Sequence, residues 1–179
     1  TAKSDYLSRT WLDNFIKSYV ERDLNQLFHQ NFSTPLVRNF WQVKSPKIYI
    51  RDSGLLHRLA GIMNMDELKG NILIGASWEG YAIEQIAQIK QEALSMFFYR
   101  THNGAELDLV LVKKNKVYAT VEIKTSSAAM PPRGFYESNE YLKPAKSFVI
   151  TPSGDPFPDK NGTLHCSLKH FLLSELPKI

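Results

Sequence analysis

The stretch AELDLVLVKKNKVYATVEIKTSS, residues 105–127, constrains this chain more than any other. Two runs rich in aliphatic and β-branched residues flank a basic turn, the pattern of an antiparallel hairpin. Acids interrupt both runs. Side chains alternate across a strand, so Glu106, Asp108, Val110 and Val112 share one face, and Leu107, Leu109 and Leu111 the other. In the second run Tyr118, Thr120, Glu122 and Lys124 share a face, opposite Ala119, Val121 and Ile123. Unpaired charge is costly in a buried sheet, so these positions belong either to a solvated face or to a chemical site.

Directly opposed residues in a hairpin lie on the same face. Asp108 meets Glu122 if Val112 faces Tyr118 and Lys113 faces Val117, which leaves a three-residue loop, Lys114–Asn115–Lys116. Such loops need one residue in the left-handed region, which Asn115 tolerates well. A two- or four-residue loop would put the two carboxylates on opposite faces, unless a bulge restored the register. Where they meet, two carboxylates form a hard-oxygen site of the kind Mg²⁺ favours, with waters and phosphate oxygens completing the shell. The Ile123 carbonyl can add a ligand. Lys124 would stand beside the metal on the Glu122 side, able to hold or deprotonate a water or to offset charge on a phosphate. Glu79, in SWEGYAIEQI, is an acid in a mostly apolar helix that could reach the same pocket.

Around the hairpin the pattern reads as α/β. Apolar residues at three- and four-residue steps predict a helix over 8–28, followed by an irregular, proline-containing connector over 29–46. KIYIRD (47–52) reads as a short strand, Ser53 as an N-cap for the short helix GLLHRLAG, and MNMDELKGN as a turn. A long helix is expected over 76–93, strands over 96–100, 107–112 and 117–124, a helix over 134–142 and a strand over 147–151. The helical crossover makes that last strand parallel to one of the three before it, giving a mixed sheet flanked by helices. PSGDPFPDKNG reads as an exposed turn, 164–166 as a last strand and 168–176 as a closing helix. This divides the chain into an N-terminal helix and connector, 1–46, and an α/β domain, 47–179.

Composition narrows the function classes. The chain has 179 residues, 43% hydrophobic and 22% charged, which suits one well-buried domain. A net charge of +4 permits a polyanionic partner without requiring one. The single cysteine, Cys166, forms no internal disulfide and points to a reducing, cytoplasmic setting. No apolar run is long enough to span a membrane. The chain opens without methionine, as a piece of a longer protein would. No phosphate-cradling G-x-x-x-x-G-K-[ST] occurs, and no His/Cys group has zinc spacing.

Taken together, a helix glutamate (Glu79), a strand aspartate (Asp108) and E-x-K in the next strand (Glu122–Lys124) resemble the signature of the PD-(D/E)XK nuclease superfamily. The resemblance implies a restriction-endonuclease-like α-β-β-β-α-β core, here with an N-terminal helical arm. The words SPKIYIRDSGLLHRLAG, WEGYAIEQI, FFYRTHNGAELDLVL and VEIKTSSA resemble the C-terminal domain of unknown function of prokaryotic AAA+-type ATP-binding proteins, and WLDNFIKSYVERDLNQLF resembles the helix that follows their ATPase module. This chain carries no ATPase portion, and residues 29–46 are shorter than the winged-helix-like insert usual in such proteins.

The resemblance implies a Mg²⁺- or Mn²⁺-dependent phosphodiesterase acting on DNA. Asp108, Glu122 and the Ile123 carbonyl would hold metal, Lys124 would assist attack, and Glu79 would orient a water or a second ion. Arg100, His102, the basic turn Lys113, Lys114 and Lys116, and Ser126 after the E-x-K are candidate phosphate contacts, of a kind that gives salt-sensitive, sequence-neutral affinity. The competing expectations are a non-catalytic docking or regulatory module of an ATPase, and metal-free nucleic-acid binding. Arg51 and Asp52 read as a structural ion pair or a helix start.

Overall fold

The computed structural model describes residues 49–101 and 104–179. The helix expected over 8–28, the connector and hence the N-terminal arm lie outside them. The described chain opens with two short helices, α1 (Ser53–Leu59) and α2 (Met65–Lys69), and a long one, α3 (Ile74–Ile89). Three strands follow, β1 (Leu94–Arg100), β2 (Glu106–Lys113) and β3 (Lys116–Ile123), then α4 (Arg133–Leu142) and β4 (Lys146–Thr151). The chain closes with β5 (Phe157–Pro158), β6 (Leu164–Ser167) and α5 (Leu168–His170), which widens into a π-helical stretch, Phe171–Glu175, and ends in a 3₁₀ turn, Leu176–Lys178.

The six strands form one mixed sheet in the order β1-β2-β3-β4-β6-β5. β1 with β2, β2 with β3 and β5 with β6 are antiparallel; β3 with β4 and β4 with β6 are parallel. One face carries the main core: Leu109, Leu111, Ala119, Val121, Ile123, Phe148, Ile150 and Cys166 pack against Ala82 and Ile86 of α3 and against Phe171, Leu176 and Ile179. The ring of Phe148 meets that of Phe171 edge-on, 4.9 Å between centroids. The α4 helix lies against β2 and β3, where the Thr120 hydroxyl donates to Asn139 Oδ1 at 2.6 Å. Both faces of β2 are therefore covered, which explains why Leu109 through Val112 are all buried.

The N-terminal expectations need four corrections. Residues 49–52 are not a strand: they lie along α3, with Tyr49 bonded to Glu79 and packed at Gly80, and Arg51 gripping Glu84 through both Nε and Nη2. Asp52, not Ser53, caps α1, its carboxylate accepting the Leu55 N–H at 2.9 Å, worth about 1 kcal/mol. Residues 65–69 are helical because Asn64 accepts the Glu67 N–H while the Glu67 carboxylate accepts the Met63 N–H, a reciprocal cap. The long helix runs over 74–89 and stops at Lys90, whose ψ of 151° leaves the helical region.

The β2–β3 hairpin differs from the expected one. Its turn holds two residues, Lys114 (φ 49°) and Asn115 (φ 62°), both left-handed, as the right-handed twist of a hairpin favours. Lys113 therefore faces Lys116, and Val112 faces Val117. A bulge at Tyr118 then shifts the register, so that Leu111 faces Ala119 and Leu109 faces Val121. The bulge also turns Tyr118 onto the main core, away from the face of Thr120. The segment expected to be an exposed turn contains β5, and the closing helix is irregular beyond His170.

Candidate functional site

Register decides where the acids of the hairpin fall. Because the bulge restores the pairing that a two-residue turn alone would miss, Asp108 and Glu122 reach the same end of the hairpin on the same side. The paired ladder ends at Leu109 and Val121, and beyond it the Asp108 carboxylate accepts the Ile123 N–H at 2.8 Å. Asp108 thus stands in for a backbone carbonyl of β2 and ties the strand end that bears Glu122 and Lys124.

A cavity of about 390 Å³ opens there, lined by Glu79, Glu106, Asp108, Glu122, Ile123 and Lys124, with Gly104, Ala105, Pro132 and Gly134 completing the wall. Glu122 is 5% exposed, and the Lys124 ammonium donates to its Oε1 at 2.7 Å. Lys124 is the first residue beyond β3; its N–H donates to Ile150 O of β4 at 2.9 Å. Glu79 comes from α3 and accepts a hydrogen bond from the Tyr49 hydroxyl. Gly134 is required by contact: a Cβ there would lie 2.9 Å from Ala105 Cα, so only glycine lets the first turn of α4 close on the segment before β2.

Four carboxylates and one ammonium give the lining an excess of negative charge, eased by Arg100, whose Nε lies 3.6 Å from Glu106 Oε2. The donor set is of hard oxygens and suits Mg²⁺ or Mn²⁺ rather than a soft metal. Among the described residues no group of three His, Cys, Asp or Glu side chains forms a ready-made metal cage. Two carboxylates and a main-chain carbonyl are within what Mg²⁺ uses, since it keeps most of its waters.

The remaining candidates divide by position. Arg100 and Ser126 belong to this end of the sheet: Arg100 opposes Glu106 across β1 and β2, and Ser126 lies exposed two residues past Lys124, its Oγ accepting the Ala128 N–H at 3.3 Å. Lys113, Lys114 and Lys116 are at the other end of the hairpin; five residues of strand, about 17 Å, separate Lys113 from Asp108. Lys113 is further engaged there, donating to Ile179 O and to Gln91 Oε1. His102 lies outside the described residues. Glu106 was absent from the expected site, although its strand parity with Asp108 placed it on that face. Pro132 and Gly134 had no local signal, because their role depends on where α4 docks.

Other titrating groups are structural. Burial raises the Asp159 carboxyl, but bonds from the Tyr136 hydroxyl and the Thr163 and Asn161 N–H groups outweigh it and hold the group low. Glu175 is likewise raised by burial but held low by Lys178 and Lys146. Burial pushes the Cys166 thiol up to about 12, so it is not a nucleophile at neutral pH.

These features define a mixed α/β domain with an acid-lined cavity at the end of a central hairpin, and no described helix is long and apolar enough to cross a membrane. The chain belongs to the family described as a domain of unknown function (DUF4143), which matches residues 74–171, from α3 into the last helix. An uncharacterized protein of Mycobacterium tuberculosis and another of Mycobacterium bovis are each 31% identical over 210 residues, covering 88% of this chain and 47% of their own length. The chain therefore spans about half the length of these curated relatives. No solved structure matches it.

Proposed function

We propose that this domain is a divalent-metal-dependent phosphodiesterase of the PD-(D/E)XK type acting on DNA, within a longer ATPase-linked protein. The observation that carries the reading is the shared cavity of Glu79, Asp108, Glu122 and Lys124, drawn from a helix, two strands and the residue just past the second strand. The element order α3-β1-β2-β3-α4-β4 also agrees with the restriction-endonuclease-like core.

Asp108, Glu122 and the Ile123 carbonyl would hold Mg²⁺ or Mn²⁺, with Glu79 orienting a water or a second ion. The bound metal supplies charge neutralisation at the phosphate and a water acidified toward hydroxide. The chain's own part is positional and electrostatic. Lys124, held 2.7 Å from Glu122, presents its ammonium to a non-bridging oxygen or to the attacking water. In the net reaction the water oxygen bonds to phosphorus, the ester P–O bond breaks, and the leaving oxygen takes up a proton. Arg100, at the rim, can exchange Glu106 for a backbone phosphate; Ser126 can donate to one.

Nicking of supercoiled plasmid with Mg²⁺ or Mn²⁺ tests the reading. Wild type is expected to nick only with metal, and Asp108→Asn to lose about 10²-fold or more of the rate. Equal background in both proteins would overturn the hydrolase and leave a non-catalytic docking module of an ATPase.

A further inference from the structure

Lys124 presents a structural difficulty. It lies just past the end of β3 and is followed by Thr125, Ser126 and Ser127, all exposed. A residue at a strand end frays readily, and its side chain then samples many rotamers. Yet its ammonium is held at 2.7 Å from one oxygen of a buried glutamate. Something must fix the Lys124 peptide from both sides.

One side is β4, whose Ile150 carbonyl takes the Lys124 N–H. The other is a side chain 46 positions earlier: the Trp78 indole N–H donates to the Lys124 carbonyl at 3.0 Å. Trp78 sits in the first turns of α3, half-buried, its ring packed on the main core and tilted against Tyr81 at 5.8 Å. The indole is thus held by packing, and its single donor is aimed at one carbonyl. Trp78 is also the neighbour of Glu79, so one turn of α3 carries a cavity acid and a clamp on the cavity lysine.

We propose that Trp78 is a positioning residue for Lys124: its indole N–H locks the Lys124 peptide and so holds the ammonium against Glu122 at the cavity. The clamp stands on geometry alone; its catalytic consequence rests on the hydrolase reading. Phenylalanine keeps most of the ring packing and removes the donor, so Trp78→Phe isolates the bond. Small misplacements of a catalytic group lower rates steeply, so a loss of about tenfold or more in kcat is expected, with metal affinity unchanged.

The test uses the full chain and two independent readouts. Lysines are ¹³C-dimethylated and the Lys124 methyl resonance is assigned by its disappearance in Lys124→Arg. Trp78→Phe is expected to shift or broaden that resonance. Ile83→Val, which loosens α3 packing without touching the indole bond, is expected to leave it in place. In wild type the Trp78 indole proton, one of three in the chain, is expected to exchange with solvent slowly. An unmoved Lys124 resonance in Trp78→Phe, or an indole proton exchanging at the free rate, overturns the clamp whether or not the protein nicks DNA. Absence of nicking in wild type with a moved resonance overturns the hydrolase and upholds the clamp. Nicking by Trp78→Phe at the wild-type kcat and pH profile overturns the positioning role.

Discussion

Asp108 makes a structural bond and, in the proposed function, would also ligate the metal, and the variant chosen decides which of the two is probed. Its carboxylate accepts the Ile123 N–H at 2.8 Å where the β2–β3 ladder has ended. Asp108→Ala removes that acceptor and leaves a buried donor to find another, at about 1–3 kcal/mol. Asp108→Asn keeps an oxygen for the bond and removes the charge that the proposed metal would need. Urea unfolding is therefore expected to show the alanine variant destabilised by about that amount and the asparagine variant close to wild type. Equal loss in both would mean that the charge, not the acceptor, holds the strand end. Four of the cavity's charged residues, Glu79, Asp108, Glu122 and Lys124, were legible, because their chemistry stands out against aliphatic neighbours. Glu106 was legible only as sharing the face of Asp108. Trp78 was not: a half-buried tryptophan in an apolar helix face reads as core, and only the docking of α3 on the end of β3 reveals what its N–H meets.

The hairpin depends on compensation between two of its parts. A two-residue turn sets a register that would put Asp108 and Glu122 on opposite faces, and the bulge at Tyr118 undoes that shift. Sequence spacing made the pairing the site needs available without forcing it, since a three-residue loop or a turn with a bulge aligns those residues and a plain two-residue turn does not. The turn is also poorly served by its sequence. Lys114 adopts φ 49°, a conformation that places its Cβ against the backbone, at about 1–2 kcal/mol. Replacing Lys114–Asn115 by Asn-Gly, the pair that suits two left-handed residues, is expected to raise stability by about 1 kcal/mol. The measurement is the urea midpoint. A fall in stability would show that the lysine is held there by contacts worth more than its strain. Similar reasoning explains α2: Asn64 with Glu67 three residues on was a readable cap, but five helical residues among methionines and glycine offered too little periodicity to outweigh the turn-like composition.

Across the described residues, ion pairs and a hydrogen-bonded carboxylate fasten the pieces that the sheet does not. Arg51 and Glu84 hold the segment before α1 to α3; Asp159 joins the β5–β6 connection to Tyr136 of α4; Glu175 joins the last helix to Lys146 of β4. This long-range fastening was the least legible part of the fold, since each partner is remote in sequence and each charge alone reads as solvated surface. It has a definite pH consequence. In all three carboxyls burial pushes the value up and is outweighed, for Glu84 by Arg51 and Gln88, for Asp159 by its hydrogen bonds and for Glu175 by its two lysines, so each stays below its ordinary 4.5 or 3.8. A carboxyl whose folded value is depressed binds protons less readily folded than unfolded, so its contribution is complete above the ordinary value and is lost as pH falls through the folded one. Stability is therefore expected to be level from neutral pH to about pH 5 with respect to these groups and to fall steadily below it. The Arg51 pair, with its guanidinium largely exposed, contributes least because solvent screens it. Glu175 is nearly buried between Lys146 and Lys178, so Glu175→Gln is expected to lower stability at pH 7 and to flatten the acid limb, as read by urea unfolding at stepped pH. An acid limb as steep in Glu175→Gln as in wild type would show that the last helix is held by its apolar packing on Phe148 and not by this charge.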